Sequence, residues 1–593
     1  MGNRGLNLHR GLRRLRELGV QILRHSALFE TAAAYVTDQP SFLNAAVLAR
    51  TSLPPLELLR VLKQVEGEAG RDLEGAQRFG PRPLDLDVVF YGAVPYRDER
   101  LEVPHPRWRE RPFVQAPVSD LLYRRDDDDV AGSSTPPLPG PPVQSGSGSS
   151  RGWAISSSGD GASSSSSSSG GGGGSTFCSS QPLPAGDPGS VVHHLRAVRD
   201  VWWDSLRRVS SGGSRNSCST STCSSSSSSG AGGAAGGEVM RRVTPLVNLG
   251  VAAAAAAAEP PPSSSSSSSS LSPKSSSPWN GSSGGGGDAL LSWGRRTHLM
   301  AILNVTPDSF SDGGRHSGSV AAAVAAAEAM VSEGADLIDV GGQSTRPGAP
   351  RVSPQEELAR VMPVLRAIRA SPRLRAVPVS VDTFYSDVAR EAVAGGWAHL
   401  VNDVSGGAAD AAMFRTVADL GVPYILMHMR GEPATMTLPQ YTTYGSGDGS
   451  VWRKVGAELQ RAAEAAEAAG VAAWNIILDP GIGFAKTAEG NLELLRNLAA
   501  LRRDTLDGPY AARGPVGPYA GSNLGLGGPM LVGPSRKQFL GSLTGRQLPA
   551  ERDAATAAAC VVCVAGGVDM VRVHAVREVR DALRVADAVY RGG

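Results

Sequence analysis

Cysteine is scarce in this chain of 593 residues, with five in all, and their placement gives no disulfide framework. Cys178, Cys218 and Cys223 lie in Ser/Gly-rich sequence, whereas Cys560 and Cys563 form a CxxC inside AATAAACVVCVAGG. No second Cys/His pair lies near that CxxC, so it reads as two buried, inert thiols on a core-facing helix. A reducing compartment follows as the default. Strong charge of one sign is also missing: the net charge is +2, which draws the chain neither to nucleic acid nor to an anionic membrane. No apolar run approaches the ~20 residues that span a bilayer, and Ala252–Ala258 is far too short. Acids are absent before Glu17, as in a mitochondrial leader. However, leucines at 8, 12, 15 and 18 make a helical stripe running into the first globular region, so a domain helix is expected there.

Composition divides the chain in three. Residues 1–123 alternate apolar periodicity with turn signals. Residues 124–288 are dominated by Ser, Gly, Ala and Pro, with homopolymeric runs at 163–169, 171–174, 224–229 and 263–270. Such sequence buries too little apolar area to offset its ordering entropy, and a long disordered linker is expected. Two islands interrupt it: VVHHLRAVRDVWWDSLRRV (191–209), of helical spacing, and GGEVMRRVTPLVNLG (236–250), which is expected to dock on the third region. Neighbouring histidines at 193 and 194 diverge by about 100° on a helix and are no metal pair.

In the third region, 289–593, a short apolar run ends in a polar side chain eight times, and a helix-like segment follows. The endings are ILNVTPDSFSDGG (Asn304), LIDVGGQSTRPGA (Asp339), VSVDT (Asp382), LVNDV (Asn402), YILMHM (His428), IILDPGIGF (Asp479), LVGPSRK (to Lys537) and MVRVH (Arg572, His574). This is the layout of an α/β TIM (β/α)8 barrel, whose chemistry collects where strands meet the loops that follow them. Amphipathic helices are expected over Ser319–Ser332, Pro354–Ala370, Val451–Ala469 and Glu551–Ala565. The Gly-rich stretch 507–528 reads as a surface insertion before the seventh strand.

The expected rim suits a flat heterocycle with several N–H donors, because Asp382, Asn402 and Asp479 all accept. A buried hydrogen bond to a charged acceptor contributes roughly 1.5–3 kcal/mol, so two carboxylates and an amide select one ring system strongly. Lys537 adds a donor. Asn304, Arg572 and His574 form a partly cationic patch suited to phosphate, with Mg²⁺. Asp312, Thr345 and Arg346 are placed on loops that close over a reacting centre. His428 reads as a satisfied core residue.

NVTPDSFSDGG, GGQSTRPGA, VGPSRK and RVH resemble the motifs of dihydropteroate synthase over nearly all of 296–593. The resemblance implies that Asp339, Asp382, Asn402, Asp479 and Lys537 serve the pterin site. Met427 and Phe484 would line the pocket and Ser535 would flank the 4-aminobenzoate site. Asn304, Arg572 and His574 would hold diphosphate and Mg²⁺, with Asn304 as metal ligand. Asp312, Thr345 and Arg346 would complete the catalytic set. It also implies a homodimer through the barrel. On this reading Arg572 serves departure of the leaving group more than pterin binding.

Near the start, RFGPRPLDLDVVFYG places Asp85 and Asp87 on one face of an expected strand, where paired carboxylates can hold Mg²⁺ against nucleotide phosphates. With DQPSFLNAAV, QVEGEAGR and VPHPRWRERPFV, this segment resembles hydroxymethyldihydropterin pyrophosphokinase, an α+β ferredoxin-like fold. The resemblance implies that Phe42, Asn44 and Phe113 hold the pterin, Arg71, Arg82 and His105 contact ATP, and Asp85 and Asp87 bind Mg²⁺. It sets Met1-Gly2-Asn3-Arg4 inside the family's first turn, so a domain lacking its first strand and a truncated start are expected. The whole chain then resembles bifunctional folate-pathway enzymes, acting on small-molecule pterins in mitochondrion or cytoplasm. The alternative is a pterin-dependent methyltransferase barrel with a degenerate kinase kept as a docking module.

Overall fold

The computed structural model describes residues 3–33, 40–71, 82–92, 95–123, 240–247, 289–306, 316–445, 450–502 and 528–592. The island 191–209, almost all of the insertion 507–528, Asp312 and the cysteines at 178, 218 and 223 lie outside them. Among the described residues no helix is long and apolar enough to cross a membrane.

The first helix, Arg4–Glu17, begins at Asn3, whose Oδ1 accepts from Leu6 N at 2.8 Å. Its stripe buries Leu12 and Leu15, and Gly11 allows Leu84 to come close (an added Cβ would sit 2.7 Å from Leu84 Cδ2). A domain helix therefore stands where the leucine spacing put one. Strands β1 (Gln21–His25), β2 (Leu28–Thr31), β3 (Phe42–Asn44) and β4 (Val47–Arg50) follow, then helix Pro55–Glu68, β5 (Tyr96–Arg97), β6 (Glu102–Val103) and helix Pro112–Tyr123. The pairs β1–β4, β2–β3 and β5–β6 are antiparallel, and the region is α+β.

One expectation there needs correction. Asp85 and Asp87 are both exposed, between inward-facing Leu84 and Val88, but this extended segment carries no strand ladder. Its backbone groups find other partners: Leu86 N donates to buried Glu66 Oε1 at 2.6 Å, and Val89 O accepts from His105 N at 3.0 Å.

The island at 236–250 supplies β7 (Arg241–Pro245), which pairs with both β2 and β8 (Leu290–Ser292) in a sheet of order β3-β2-β7-β8. It also docks on the third region as expected, because Leu246, Leu291 and Trp293 pack against Met300, Leu337, Leu400, Ile425, Ile477, Leu531 and Met570. These seven form the lowest interior layer of the barrel, so the hairpin plugs its floor. Trp474 O accepts from Thr244 Oγ1 at 2.7 Å, and His25 Nδ1 lies 3.2 Å from Glu467 Oε1. The amino-terminal region thus sits against the loops that precede β-strands, away from their carboxyl ends.

The barrel strands are β9 (His298–Asn304), β10 (Leu337–Gly341), β11 (Val379–Asp382), β12 (Leu400–Asp403), β13 (Tyr424–Met427), β14 (Ile476–Asp479), β15 (Leu531–Val532) and β16 (Met570–Val573). Their order is β14-β13-β12-β11-β10-β9-β16-β15, every pairing is parallel, and a bridge from Leu478 to Met530 closes the ring. Helices stand at His316–Ser332, Pro354–Ala370, Ser450–Ala468 and Asp553–Ala565, the last after a 3₁₀ turn at Pro549–Arg552. Each lies within a few residues of its expected bounds. Cys560 and Cys563 are fully buried, and burial pushes both thiols up, so they are inert as read.

Candidate functional site

Strand periodicity decides which residues face the interior. Val340, Val381, Val401, Leu478 and Val571 pack outward against the helices. Their neighbours therefore point inward: Asp339, Asp382, Asn402, Asp479 and Arg572, with Met427 on β13. Backbone register sets Gly341 level with Asn304 and with Asp382, and Asp382 level with Asn402. Gly341 contributes no side chain to that row, and even a Cβ there would lie 3.4 Å from Asp382. The row is thus a cup with acceptors on its wall.

Arg572 lies among the acceptors rather than opposite them. Its Nε is 2.6 Å from Asp339 Oδ2, and its Nη2 is 2.5 Å from Asp382 Oδ2. Asn402 Nδ2 donates to the same Asp339 oxygen at 2.9 Å, while Asp339 Oδ1 is buried with no hydrogen-bond partner among the described residues. Burial raises the Asp382 carboxyl against the pull of Arg572. Burial likewise lifts Asp479 to about 6, although Gly481 N donates to its Oδ1 at 2.8 Å.

Lys537 reaches the cup because the turn before it is left-handed at Arg536, with φ 57°. That turn sends Arg536 outward to a bidentate pair with Asp553, both contacts at 2.7 Å, and aims Lys537 inward. Its ammonium lies 3.7 Å from the centre of the Phe484 ring, a cation–π contact. Burial, then Arg572, lowers the Lys537 ammonium to about 7. Gly483, at φ 82°, makes room for the stem: a Cβ there would meet Lys537 Cδ at 2.6 Å. Phe484 and Met427 share a small apolar cluster with Phe384, Val404 and Met436, which forms one wall of the cup.

At the rim, Ser535 Oγ lies 2.9 Å from His574 Nδ1 and accepts from His574 N at 3.1 Å. Burial, and then four cations led by Arg536, push the His574 imidazole down to about 3. It is therefore neutral at physiological pH. Arg346 is among those cations and is exposed, on a loop pinned by Gly348 N to Pro433 O at 3.0 Å. Thr345 lies half-buried on the same loop, and Asn304 is half-buried at the end of β9.

Two further groups were not singled out from sequence. Glu357 is fully buried beneath the β10 loop and accepts from Gln343; burial raises it to about 7. His428 is buried and satisfied as expected, but within a cluster containing Glu458, Arg430 and Lys486. No period marks either group, since each partner comes from a different element.

In the amino-terminal region Phe42 and Asn44 lie on β3, where Asn44 Nδ2 donates to Thr31 Oγ1 at 2.8 Å. Phe113 opens helix Pro112–Tyr123, with the Arg111 guanidinium 5.8 Å from its ring centre. Asp85 pairs with Arg71 at 2.7 Å and with Arg82 at 3.0 Å. His105 Nδ1 accepts from Arg107 N at 3.2 Å. Two exposed carboxylates flanked by guanidiniums are a donor set suited to Mg²⁺ with a polyphosphate. In the barrel the Asn304 amide oxygen is a hard donor of the same kind. Among the described residues no cluster of three His, Cys, Asp or Glu side chains could hold a metal ion by itself.

Two parts of the chain match known protein families. Residues 300–574 match the family model described as pterin binding enzyme, and residues 1–123 match that of 7,8-dihydro-6-hydroxymethylpterin-pyrophosphokinase. The chain is 38% identical to the mitochondrial folate synthesis bifunctional protein of Pisum sativum, over 100% of this chain and 88% of that protein. It is 36% identical to a folate synthesis bifunctional protein of Arabidopsis thaliana, over 99% of this chain and 94% of that protein. A dihydropteroate synthase of Synechocystis sp. is 44% identical over 51% of this chain and 93% of its own length.

Proposed function

Since this chain belongs to the folate synthesis bifunctional proteins, we propose that its two regions perform consecutive steps on one pterin. The amino-terminal region transfers diphosphate from ATP to 6-hydroxymethyl-7,8-dihydropterin. The barrel condenses the resulting ester with 4-aminobenzoate to give 7,8-dihydropteroate and diphosphate. The observation that carries the second step is the convergence of Asp382, Asn402, Asp479 and Lys537 in one cup beside Arg572. A pterin ring offers several N–H donors to the first three, and Lys537 donates to a ring heteroatom.

The reaction needs no covalent nucleophile. As the diphosphate leaves the pterin methylene, the carbon becomes electron-poor and the amine of 4-aminobenzoate attacks it, its N–H proton passing to solvent or to the departing diphosphate. Arg572 is assigned to both partners: Nε and Nη2 hold the pterin-site carboxylates, and Nη1 is left for the departing oxygen. Neutral His574, held by Ser535, and Asn304 complete the diphosphate end, and Thr345 and Arg346 close over it. Mg²⁺, held by Asn304 and substrate oxygens, would supply charge neutralisation there.

In the kinase step Asp85 and Asp87 are proposed to hold Mg²⁺ on the ATP phosphates, with Arg71, Arg82 and His105 against the nucleotide. Phe42, Asn44 and Phe113 are proposed to hold the pterin. A homodimer through the barrel is proposed on the exposed Leu543, Leu548, Val585 and Val589, and a mitochondrial location on the names of relatives. The methyltransferase reading is not favoured, because relatives that match end to end are named for folate synthesis. Dihydropteroate formation by the purified chain from the diphosphate ester and 4-aminobenzoate tests the barrel. ATP-dependent consumption of 6-hydroxymethyl-7,8-dihydropterin tests the first region, and corrinoid-dependent methyl transfer without either would overturn both.

A further inference from the structure

The loop after β14 visits left-handed backbone three times in five residues: φ is 68° at Gly481, 82° at Gly483 and 48° at Ala485. At Gly481 a side chain is also excluded by space, since a Cβ would lie 2.1 Å from His428 O. This path turns the carbonyls of Gly481 and Phe484 toward one point. The Lys486 ammonium occupies it, 3.0 Å from the first oxygen and 2.9 Å from the second. His428 Nδ1 is the third partner, at 3.1 Å.

An ammonium has three donors and no acceptor, so these contacts use it fully and leave His428 Nδ1 as an acceptor. Nε2–H of that neutral ring then donates to Glu458 Oε2 at 2.8 Å. Arg430 Nε donates to the same oxygen at 2.9 Å, and its guanidinium lies 3.9 Å from the centre of the Tyr444 ring. The Tyr444 hydroxyl returns to the loop, donating to Ala485 O at 3.0 Å. The network therefore begins and ends on the segment that carries Asp479 and Phe484.

We propose that Lys486 is a positioning residue for the synthase reaction, clamping this loop from behind so that the Asp479 carboxylate and the Phe484 ring meet the pterin. The proposal rests on assigning the cup to the pterin, which the unmutated chain's own activity tests separately in the same assay. Lys486→Met removes the charge and all three donors. The pterin diphosphate KM should rise about tenfold or more, the range one charged hydrogen bond commands. Both kcat and the KM for 4-aminobenzoate should stay within roughly threefold, and the ATP-dependent step should be unaffected. Lys486→Cys alkylated with 2-bromoethylamine restores an ammonium at the same reach and should recover the pterin KM, with the unmutated chain treated alike as control. A fall in kcat at constant pterin KM, or no recovery on alkylation, overturns the proposal.

Should Lys486→Met fail to fold, Glu458→Gln gives the answer through pH. Asp479 and Glu458 raise the Lys486 ammonium, Arg430 and Lys537 lower it, and burial, the largest influence, brings it to about 7. His428 is held neutral at about 4, and burial pushes the Tyr444 phenol up. The ammonium therefore loses its proton as pH rises through about 7, loosening the loop. Removing the Glu458 charge should start the rise in pterin KM at lower pH than in the unmutated chain; an unmoved profile overturns the proposal.

Discussion

Arg572→Met is the most informative single change, because its guanidinium is directly bonded to two interior carboxylates. Asp339 is fully buried, Asp382 nearly so, and Arg572 itself is 19% exposed, so water does little to replace the lost charge. Leaving buried carboxylates without their partner costs about 3–5 kcal/mol. With a urea dependence near 3 kcal/mol per molar, the barrel's unfolding midpoint should fall by roughly 1 M or more at pH 7. Asp382, already raised by burial, should move higher and become protonated, so it ceases to accept from a pterin N–H. Pterin binding should therefore weaken together with diphosphate departure, which departs from the division of labour expected from sequence. Adding Asp339→Asn removes one stranded charge and should recover a substantial part of the midpoint. Urea titration at the barrel and calorimetry with a pterin ligand measure both effects. A midpoint shift of a few tenths molar, with pterin affinity intact, would refute the reasoning.

Glu357→Gln tests the carboxyl beneath the β10 loop. Its folded value, about 7, lies above the unfolded value near 4.5, so the stabilisation is full below the latter and is lost as pH rises through the former. The variant should be about 3 kcal/mol more stable than the unmutated chain at pH 8 and lose most of that advantage near pH 5, by thermal unfolding at both pH values. Gly483→Ala adds a methyl 2.6 Å from Lys537 Cδ on left-handed backbone. It should displace Lys537 from Phe484 and raise the pterin KM about tenfold, in line with ~1–3 kcal/mol of strain, in steady-state assays. Buried His399 is held neutral, near 3, so its contribution is present above pH 6.5 and lost on acidification. His399→Gln should flatten the fall in stability between pH 6.5 and pH 4 in urea titrations. Asp87→Asn should abolish ATP-dependent diphosphate transfer by at least about a hundredfold while leaving synthase turnover intact, measured on the same preparation.

The barrel was legible because its strands repeat a simple rule: outward valines and leucines alternate with inward residues, and on several strands the last inward position is polar. Asp382, Asn402, Asp479 and Arg572 obey it, so their convergence follows from period and order alone. What the pattern could not carry was pairing across the interior. Whether Arg572 meets phosphate or carboxylate depends on which strands are neighbours after the ring closes. The same holds for Lys486, which answers to the path of a five-residue loop and to a histidine just past the end of another strand. In the first region, alternation put Asp85 and Asp87 on one face, and both are exposed. It could not show that Glu66 rather than a neighbouring strand satisfies the Leu86 amide. The role of β7 as both sheet partner and barrel floor was half visible, since apolar content marks a docking segment but not what it pairs with.

The central claim is that one cup at the carboxyl end of the barrel strands binds the pterin while diphosphate leaves. Single-turnover reaction of the purified chain with the diphosphate ester and 4-aminobenzoate measures it most directly, run beside Asp382→Asn and Lys537→Met. The account predicts one diphosphate per dihydropteroate formed by the unmutated chain and loss of pterin binding in both variants. Product formed at an undiminished rate and affinity by either variant would contradict it.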